Sequence, residues 1–145
     1  MLPGFAYYVE RVDWQSAAAP LRQVRRLVFV EEQGVPEELE WDEWDARCVH
    51  VLARTSTGEP VGTGRLLPDA HIGRMAVLPR WRRHGVASAM LRELLAVARE
   101  RGDDVVRLNA QTQAMPFYLR FGFAAQGPEF QDAGIPHRLM VLRLR

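Results

Sequence analysis

The chain has 145 residues, which is long enough for one domain with a buried core. Its 19 basic residues, all arginine, nearly balance 18 acidic residues, and the net charge of +1 argues against nucleic acid as a partner. Cys48 is the single cysteine, so we expect no disulfide and a reducing, cytoplasmic location. No apolar run reaches the roughly 18 residues of a membrane helix, and residues 1–9 lack the features of a signal peptide. We therefore expect one domain over residues 1–145 without a membrane partner.

The first half of the chain predicts one long helix among several strands. Residues 14–30 place Leu21, Val24, Leu27 and Val28 on one helical face. Runs rich in apolar and β-branched residues predict strands, and the Thr-Gly-Glu-Pro sequence at 57–60 predicts a hairpin turn between two of them. The predicted strands of this half are residues 5–10, 48–56, 61–67 and 72–78.

The second half continues the alternation of helices and strands. Residues 86–100 form the clearest amphipathic pattern, and Gly102 follows it as a helix-ending residue. A shorter helix is predicted at 113–121, with Pro116 in its first turn. Strands are predicted at 105–110, 123–130 and 137–144, the last two around a connection at 132–136. Such an alternation is typical of an α/β domain with a mixed sheet.

One segment, residues 75–90, joins a strand, a basic loop and a helix start. The first N–H groups of a helix have no partner inside it, so they attract anions. Small residues in this loop would let a pyrophosphate approach the backbone, and basic side chains would add donors. The residues predicted to hold the anion are Arg82, Arg83, His84, Gly85, Val86 and Ala87.

Two motifs resemble those of the GNAT acyltransferase superfamily. The first is Val77-x-Pro79-x-x-Arg82-x-x-Gly85-Val86-Ala87, which is similar to its acyl-CoA pyrophosphate motif, and the second is Tyr118-x-x-x-Gly122-Phe123. Three further runs are similar to a small bacterial branch, the YjcF-like and ElaA-like proteins. They are Arg25-x-x-Val28-Phe29-Val30-x-Glu32-Gln33, the run from Asn109 to Ala114, and Asp132-Ala133-Gly134-Ile135-Pro136-His137.

The resemblance implies a fold, a co-substrate and a reaction. The fold is a twisted, mostly antiparallel mixed sheet of about six to seven strands with about four helices, in which two parallel strands splay apart. Acetyl-CoA would lie in that gap, with its pantetheine amides on the backbone of Met75, Ala76 and Val77. The implied reaction moves an acetyl group to an amine by direct attack through a tetrahedral intermediate, and a backbone N–H would stabilise the oxyanion. Arg74 and Arg80 either reach the 3′-phosphate of CoA or lie on the solvated surface.

The polar residues near the second motif allow two interpretations each. Tyr118 is the general-acid candidate that would protonate the departing thiolate, and the alternative is a tyrosine that anchors the short helix. The family often places a cofactor-binding Asn seven residues before this Tyr, where the chain has Gln111, while Asn109 lies two residues earlier. A side-chain amide can donate and accept from either position. The alternative is that one of them merely fixes the end of the strand.

The acceptor side is the least determined part of the sequence. Residues 31–45 contain eight acidic residues and no basic one. They form either an acidic wall that attracts a cationic amine, with cation–π contacts from Trp41 and Trp44, or a solvated turn with its Trp residues packed inward. Glu32 is the base candidate in this segment. His137, at the start of a strand, is the second candidate for base or acceptor site.

The sequence also bears on other functions and ligands. His50 lies in an apolar strand, where a hydrogen-bonded core histidine is more common than a base. No histidine or cysteine pair has metal-ligand spacing, so no metal site is expected. The chain lacks the glycine motifs of kinases and dinucleotide-binding enzymes. A non-catalytic acyl-CoA sensor remains the alternative to an enzyme. The resemblance implies a small-molecule or peptide amine as the acceptor, and a homodimer is compatible with it.

Overall fold

The computed structural model describes residues 4–145, in which seven strands form one sheet. The strands are β1 (Tyr7–Val12), β2 (Val49–Thr55), β3 (Pro60–Leu66), β4 (His71–Val77), β5 (Val105–Gln111), β6 (Ala124–Asp132) and β7 (Ile135–Arg143). The α-helices are α1 (Trp14–Arg25), α2 (Glu37–Glu40), α3 (Val86–Arg101) and α4 (Met115–Arg120). The order is β1-β2-β3-β4-β5-β7-β6, and every neighbouring pair is antiparallel except β4 and β5. The predicted mixed sheet with four helices is confirmed.

The two long helices cover opposite faces of the sheet. Apolar residues of α3, such as Leu94, pack against β2 and β3 on one face, and Leu21 of α1 packs against Leu52 on the other. Gly64 in β3 permits the close approach of α3. A Cβ at this position would lie 3.1 Å from Leu94 Cδ1 and 2.5 Å from Met75 Sδ. Met75 of β4 therefore lies on the α3 face, and its sequence neighbours on either side point to the α1 face. Within residues 4–145, no helix is both long and apolar enough to cross a lipid bilayer.

The parallel strands β4 and β5 separate soon after they meet. Within the described chain their ladder has two pairs, His71 with Arg107 and Ile72 with Leu108. Beyond these pairs β4 continues beside β3 to Val77, whereas β5 continues beside β7 to Gln111. The β3–β4 ladder also shifts its register, and Arg74 adopts a positive φ of 51° at this irregularity. The end of β4 thus has a free main-chain edge toward β5.

The observed elements agree with the predicted ones to within two residues at each end, with three exceptions. The helix predicted at 14–30 is α-helical to Arg25 and then continues as a π-helix over Arg26–Glu32, because apolar periodicity does not distinguish these hydrogen-bond patterns. Two short helices, α2 and a 3₁₀ turn at Glu43–Arg47, lie in a segment without a predicted element. The connection predicted at 132–136 is a tight turn in which Ala133 and Gly134 adopt positive φ angles, so both flanking strands are longer.

Candidate active site

The gap between β4 and β5 opens into a cleft of about 550 Å³. One wall of the cleft is the main chain of β4. Leu78 N donates to Val61 O in β3, so strand alternation turns the N–H and C=O groups of Val77 and Met75 toward the gap. Ala76 pairs with Thr63 and turns its main chain toward β3. Of the three residues predicted to bind an extended ligand, two thus turn their main chain to the gap, where the carbonyl of Val77 already accepts a hydrogen bond from Arg82 Nε.

The predicted anion loop leads from β4 into α3. Gly85 caps this helix with a φ of 84° and offers no side chain to the first-turn N–H groups, which stay available to a ligand. Arg83 also has a positive φ, 66°, and its guanidinium makes no hydrogen bond within residues 4–145. The His84 ring stacks on Phe5 with ring centroids 3.8 Å apart. Val86 is buried in the core and Ala87 lies partly buried beside it.

Arg82 uses both its side chain and its main chain for hydrogen bonds within the protein. Its Nε donates to Val77 O at 2.9 Å, and Nη1 donates to Glu32 Oε2 at 2.8 Å. Its main-chain N–H donates to Pro79 O. Arg82 therefore braces the loop against β4 and the π-helix. The cationic side chain that stays free in this loop is Arg83.

The phenol of Tyr118 lies at the cleft within an apolar environment. The ring packs edge-on against Phe117 and Phe123, and the residue is buried. Burial raises the pKa of Tyr118 to about 12. Within the described residues its hydroxyl makes no hydrogen bond, although the residue lines the cleft. The side chain is therefore protonated at neutral pH and has a proton to donate.

Three of the predicted polar residues lie together on the other wall. Asn109 and Gln111 alternate with buried residues of β5, so both point to the α1 face, and His137 of β7 pairs directly with Gln111. Gln111 Nε2 donates to Gln33 Oε1 at 2.9 Å. His137 Nδ1 lies 2.7 Å from Ile135 O and must donate to it, since a carbonyl only accepts. The neutral imidazole is then left with an accepting Nε2. All three residues line the cleft.

Two other candidate bases, Glu32 and His50, lie outside the cleft. Glu32 is not among the residues that line the cleft, since its carboxylate is paired with Arg82 on the π-helix side. The hydrogen bond from Arg82 lowers the pKa of Glu32. His50 is buried in β2, and its Nε2 lies 2.8 Å from Asp45 O. Burial lowers the pKa of His50, in agreement with the structural role expected for it.

A buried ion network lies beneath the cleft, and the sequence analysis did not anticipate it. We define the network by three arginines and three carboxylates, Arg25, Arg65, Arg74, Glu40, Asp42 and Asp45. Arg25 donates to Glu40 Oε2 at 2.8 Å and to Asp45 Oδ1 at 2.7 Å, and all three side chains are almost completely buried. The network joins α1, the 37–47 segment, β3 and β4 into one unit.

The network neutralises much of the acidic segment 31–45. Its three carboxylates face three guanidinium groups, and Glu37 pairs with Arg26. Burial alone would raise the pKa of Asp45, but hydrogen bonding and charge from Arg25, with Arg65, hold it below its usual value. The ring centroid of Trp41 lies within 6 Å of the guanidinium carbons of three arginines of α1 and the π-helix. Arginines of the protein itself, and not an open cleft, thus lie beside this ring. Most of the segment is exposed to solvent, and five of its eight acidic residues are paired with arginines, so it is a largely charge-balanced turn and not an acidic wall.

Arg74 belongs to this network and not to the anion loop. Its Nε lies 3.1 Å from Glu40 Oε2, and its Nη2 lies 3.3 Å from Asp42 Oδ2. Burial lowers the pKa of Arg74. The positive φ of Arg74 directs its side chain to the α1 face, away from the loop at the start of α3. Of the two interpretations offered for Arg74, the structure supports neither.

The chain resembles known proteins over most of its length. A model of the acetyltransferase (GNAT) domain matches residues 18–144. The chain belongs to the GNAT family. It is 40% identical over 122 residues to the uncharacterized N-acetyltransferase YjcF of Bacillus subtilis. The aligned region covers 81% of this chain and 86% of YjcF. The predicted resemblance to this superfamily is confirmed.

Solved GNAT structures share the whole fold. An acyl-CoA N-acyltransferase from Pseudomonas aeruginosa has a TM-score of 0.83 at 26% identity, covering 94% of this chain and 99% of that one. Escherichia coli ElaA has a TM-score of 0.82 at 27% identity, covering 93% and 98%. The predicted likeness to the YjcF-like and ElaA-like branch is thereby confirmed. Membership of the GNAT family also implies the use of an acyl-CoA.

The GNAT cleft contains residues that the sequence analysis did not select. Gln33 lies next to the chosen Glu32, and the wider π-helical turns carry it to the cleft. His71 begins β4, with its Nδ1 3.0 Å from Asp69 Oδ1, and both residues line the cleft. Asp132, at the tip of the β6–β7 hairpin, does so as well. The spacing of these residues and their positions at strand ends are visible in the sequence. These features indicate a site only when the separation of β4 from β5 is known. Within residues 4–145, no group of His, Cys, Asp and Glu side chains could hold a metal ion.

Proposed function

We propose that the chain is an acetyl-CoA-dependent N-acetyltransferase that acts on an amine acceptor, and that the reaction takes place where β4 and β5 separate. The observation that carries the proposal is the succession of three features from the gap to the start of α3, whose loop lies beyond the residues that line the cleft. These three features are the free main-chain edge of β4, the uncapped N-terminus of α3 and the unbonded hydroxyl of Tyr118. The first suits the amides of pantetheine, the second suits a pyrophosphate, and the third suits a sulfur leaving group.

Each catalytic role falls to a residue of the cleft. His137 Nε2 accepts the proton that the acceptor nitrogen must lose as that nitrogen attacks the thioester carbon. The N–H of Met75 faces the oxygen on which negative charge develops, and such a fixed donor contributes several kcal/mol to a transition state. Tyr118 gives its proton to the sulfur as the carbon–sulfur bond breaks. The products are an N-acetylated amine and free CoA, and the location of this co-substrate supports a cytoplasmic enzyme.

The test is release of free thiol from acetyl-CoA across a panel of amines, with mass identification of the acetylated product. We expect turnover with at least one class of amine and a strong loss of kcat in His137→Gln, which keeps a polar side chain but cannot take up a proton. Binding of CoA with no thiol release on any amine would contradict the proposal and would favour the acyl-CoA sensor. Loss of CoA binding in His137→Gln would show that the residue acts on the cofactor and not on the acceptor.

A further inference from the structure

Resting on the proposed function, we propose that the acceptor is a monoamine carried on an apolar body. The wall of the cleft formed by the 29–44 segment would hold the apolar body. The opposite wall, with Asp132 and His137, would receive the ammonium group. Two independent features of the cleft carry this inference, the exposure of apolar side chains and the distribution of charge.

The first feature is an apolar surface that is exposed inside the cleft. Leu39 and Trp44 are among the few large hydrophobic residues of the described chain with substantial exposure, 59% and 38%. Both line the cleft, beside the more buried Phe29 and Val35. Exposed apolar side chains within a concave site are typical of ligand contact, because water that covers them is released on binding. A fully polar acceptor would leave this surface without a partner.

The second feature is the lack of free cations on the cleft walls. Arg65 and Arg74 line the cleft, but both form ion pairs with carboxylates of the ion network, and among their buried nitrogens only Nε of Arg65 lacks a hydrogen-bond partner within the described residues. Among the residues that line the cleft, an acceptor with its own carboxylate or phosphate would find no unpaired guanidinium for a bidentate contact. Acceptors of that kind are therefore disfavoured.

The carboxylates of the cleft argue for a single ammonium group. Glu40 is paired within the network, and Asp69 lies against His71. Asp132 makes no ion pair or hydrogen bond within residues 4–145, and it stands on the same hairpin as His137. One free carboxylate suits one ammonium at the entrance, before His137 removes its proton. A polyamine would bring a second charge against the apolar wall, where desolvation is unfavourable.

The experiment compares kcat/KM for four amines in the thiol-release assay, namely 2-phenylethylamine, putrescine, glucosamine and glutamate. We expect 2-phenylethylamine to exceed each of the other three by about tenfold or more, the scale on which apolar pockets discriminate. The inference is overturned if putrescine, glucosamine or glutamate gives the highest value, and the proposed function then still stands. If no amine releases thiol, the proposed function fails and the inference fails with it.

Matched variants locate the binding of the apolar body. Trp44→Ala and Leu39→Ala should each raise KM for 2-phenylethylamine by about fivefold or more while changing kcat little, because each removes contact area without touching the reacting atoms. Leu27→Ala is the control, since Leu27 is 39% exposed but does not line the cleft. CoA affinity should be equal in all three variants, which verifies folding. Equal KM values in the cleft variants and in Leu27→Ala would overturn the inference.

Discussion

At the scale of single residues, the surroundings of Tyr118 determine what the side chain can do. Apolar rings surround the phenol and raise its pKa, so its proton remains bound at any pH at which the protein is assayed. A thiolate that leaves beside this hydroxyl can take up its proton. The same burial that makes Tyr118 a core residue also keeps its phenol protonated, so the two interpretations from the sequence are compatible.

Tyr118→Phe should therefore lower kcat by about 100-fold while leaving the affinity for acetyl-CoA unchanged, because only the donated proton is lost. Tyr8→Phe, at an exposed tyrosine of β1, is the control and should retain the parent rate. Steady-state kinetics and calorimetric titration with CoA provide the measurements. A Tyr118→Phe variant with the full rate would remove the acid role.

The pH profile gives an independent check on the same side chain. Because the pKa of Tyr118 is raised to about 12, the acid stays protonated as pH increases, and kcat should not fall through its ionisation below about pH 10. A descending limb near pH 8 that disappears in Tyr118→Phe would contradict this assignment.

At the scale of elements, α3 shows how one backbone geometry can serve two purposes. Gly85 at its start and Gly102 at its end both have a φ of 84°. A Cβ at either position meets only ordinary contacts, 3.4 Å from Tyr7 Oη and 3.7 Å from Arg145 Nη2. The conformational cost of a side chain should thus be similar at the two ends, but only the start of the helix exposes N–H groups to an anion.

Gly85→Ala and Gly102→Ala should each destabilise the fold by about 1–2 kcal/mol, the cost of a left-handed conformation for a residue with a Cβ. Only Gly85→Ala should also weaken CoA binding, by about tenfold or more, which corresponds to ~1.4 kcal/mol. Urea unfolding and CoA titration measure the two effects. Equal CoA affinity in both variants would show that the pyrophosphate lies elsewhere.

At the scale of the whole molecule, the ion network connects one wall of the cleft to the sheet. It connects α1 and the 37–47 segment to β3 and β4, and so positions Leu39 and Trp44 against the cleft. A buried ion pair contributes little when it is intact, but removal of one partner leaves an uncompensated buried charge. The network therefore makes the wall of the cleft sensitive to any single substitution within it.

Arg25→Met should reduce the free energy of unfolding by about 3–5 kcal/mol, because Glu40 and Asp45 lose a buried counter-ion. Arg26→Met is the matched control on the next residue, where the pair with Glu37 is exposed, and it should leave the unfolding midpoint nearly unchanged. Urea denaturation followed by circular dichroism compares the two. Similar midpoints for both variants would contradict a structural role for the network.

Local patterns allowed most of the fold to be predicted. The apolar periodicity of 86–100 indicates the buried face of a helix. The apolar runs at 105–110 and 61–67 indicate strands with one or both faces buried, and the structure agrees closely with all three predictions. The π-helix at Arg26–Glu32 and the short helices after it escaped prediction because their form depends on tertiary contacts of Arg25 and its partners. In the same way, Glu32 was the natural base candidate within its motif, yet the structure turns it to Arg82 and brings Gln33 to the cleft.

The sequence by itself determined the strand–loop–helix unit at 75–90 and the Tyr118 motif, because each depends on neighbours along the chain and on glycine at a left-handed position. The tertiary structure alone decided which residues line the cleft. Only the separation of β4 from β5 creates the cleft, and only folding brings three of the eight acidic residues of one segment against arginines of α1, β3 and β4. Charge counted along a chain does not reveal which charges will be paired, since ion pairs form between residues that are distant in sequence.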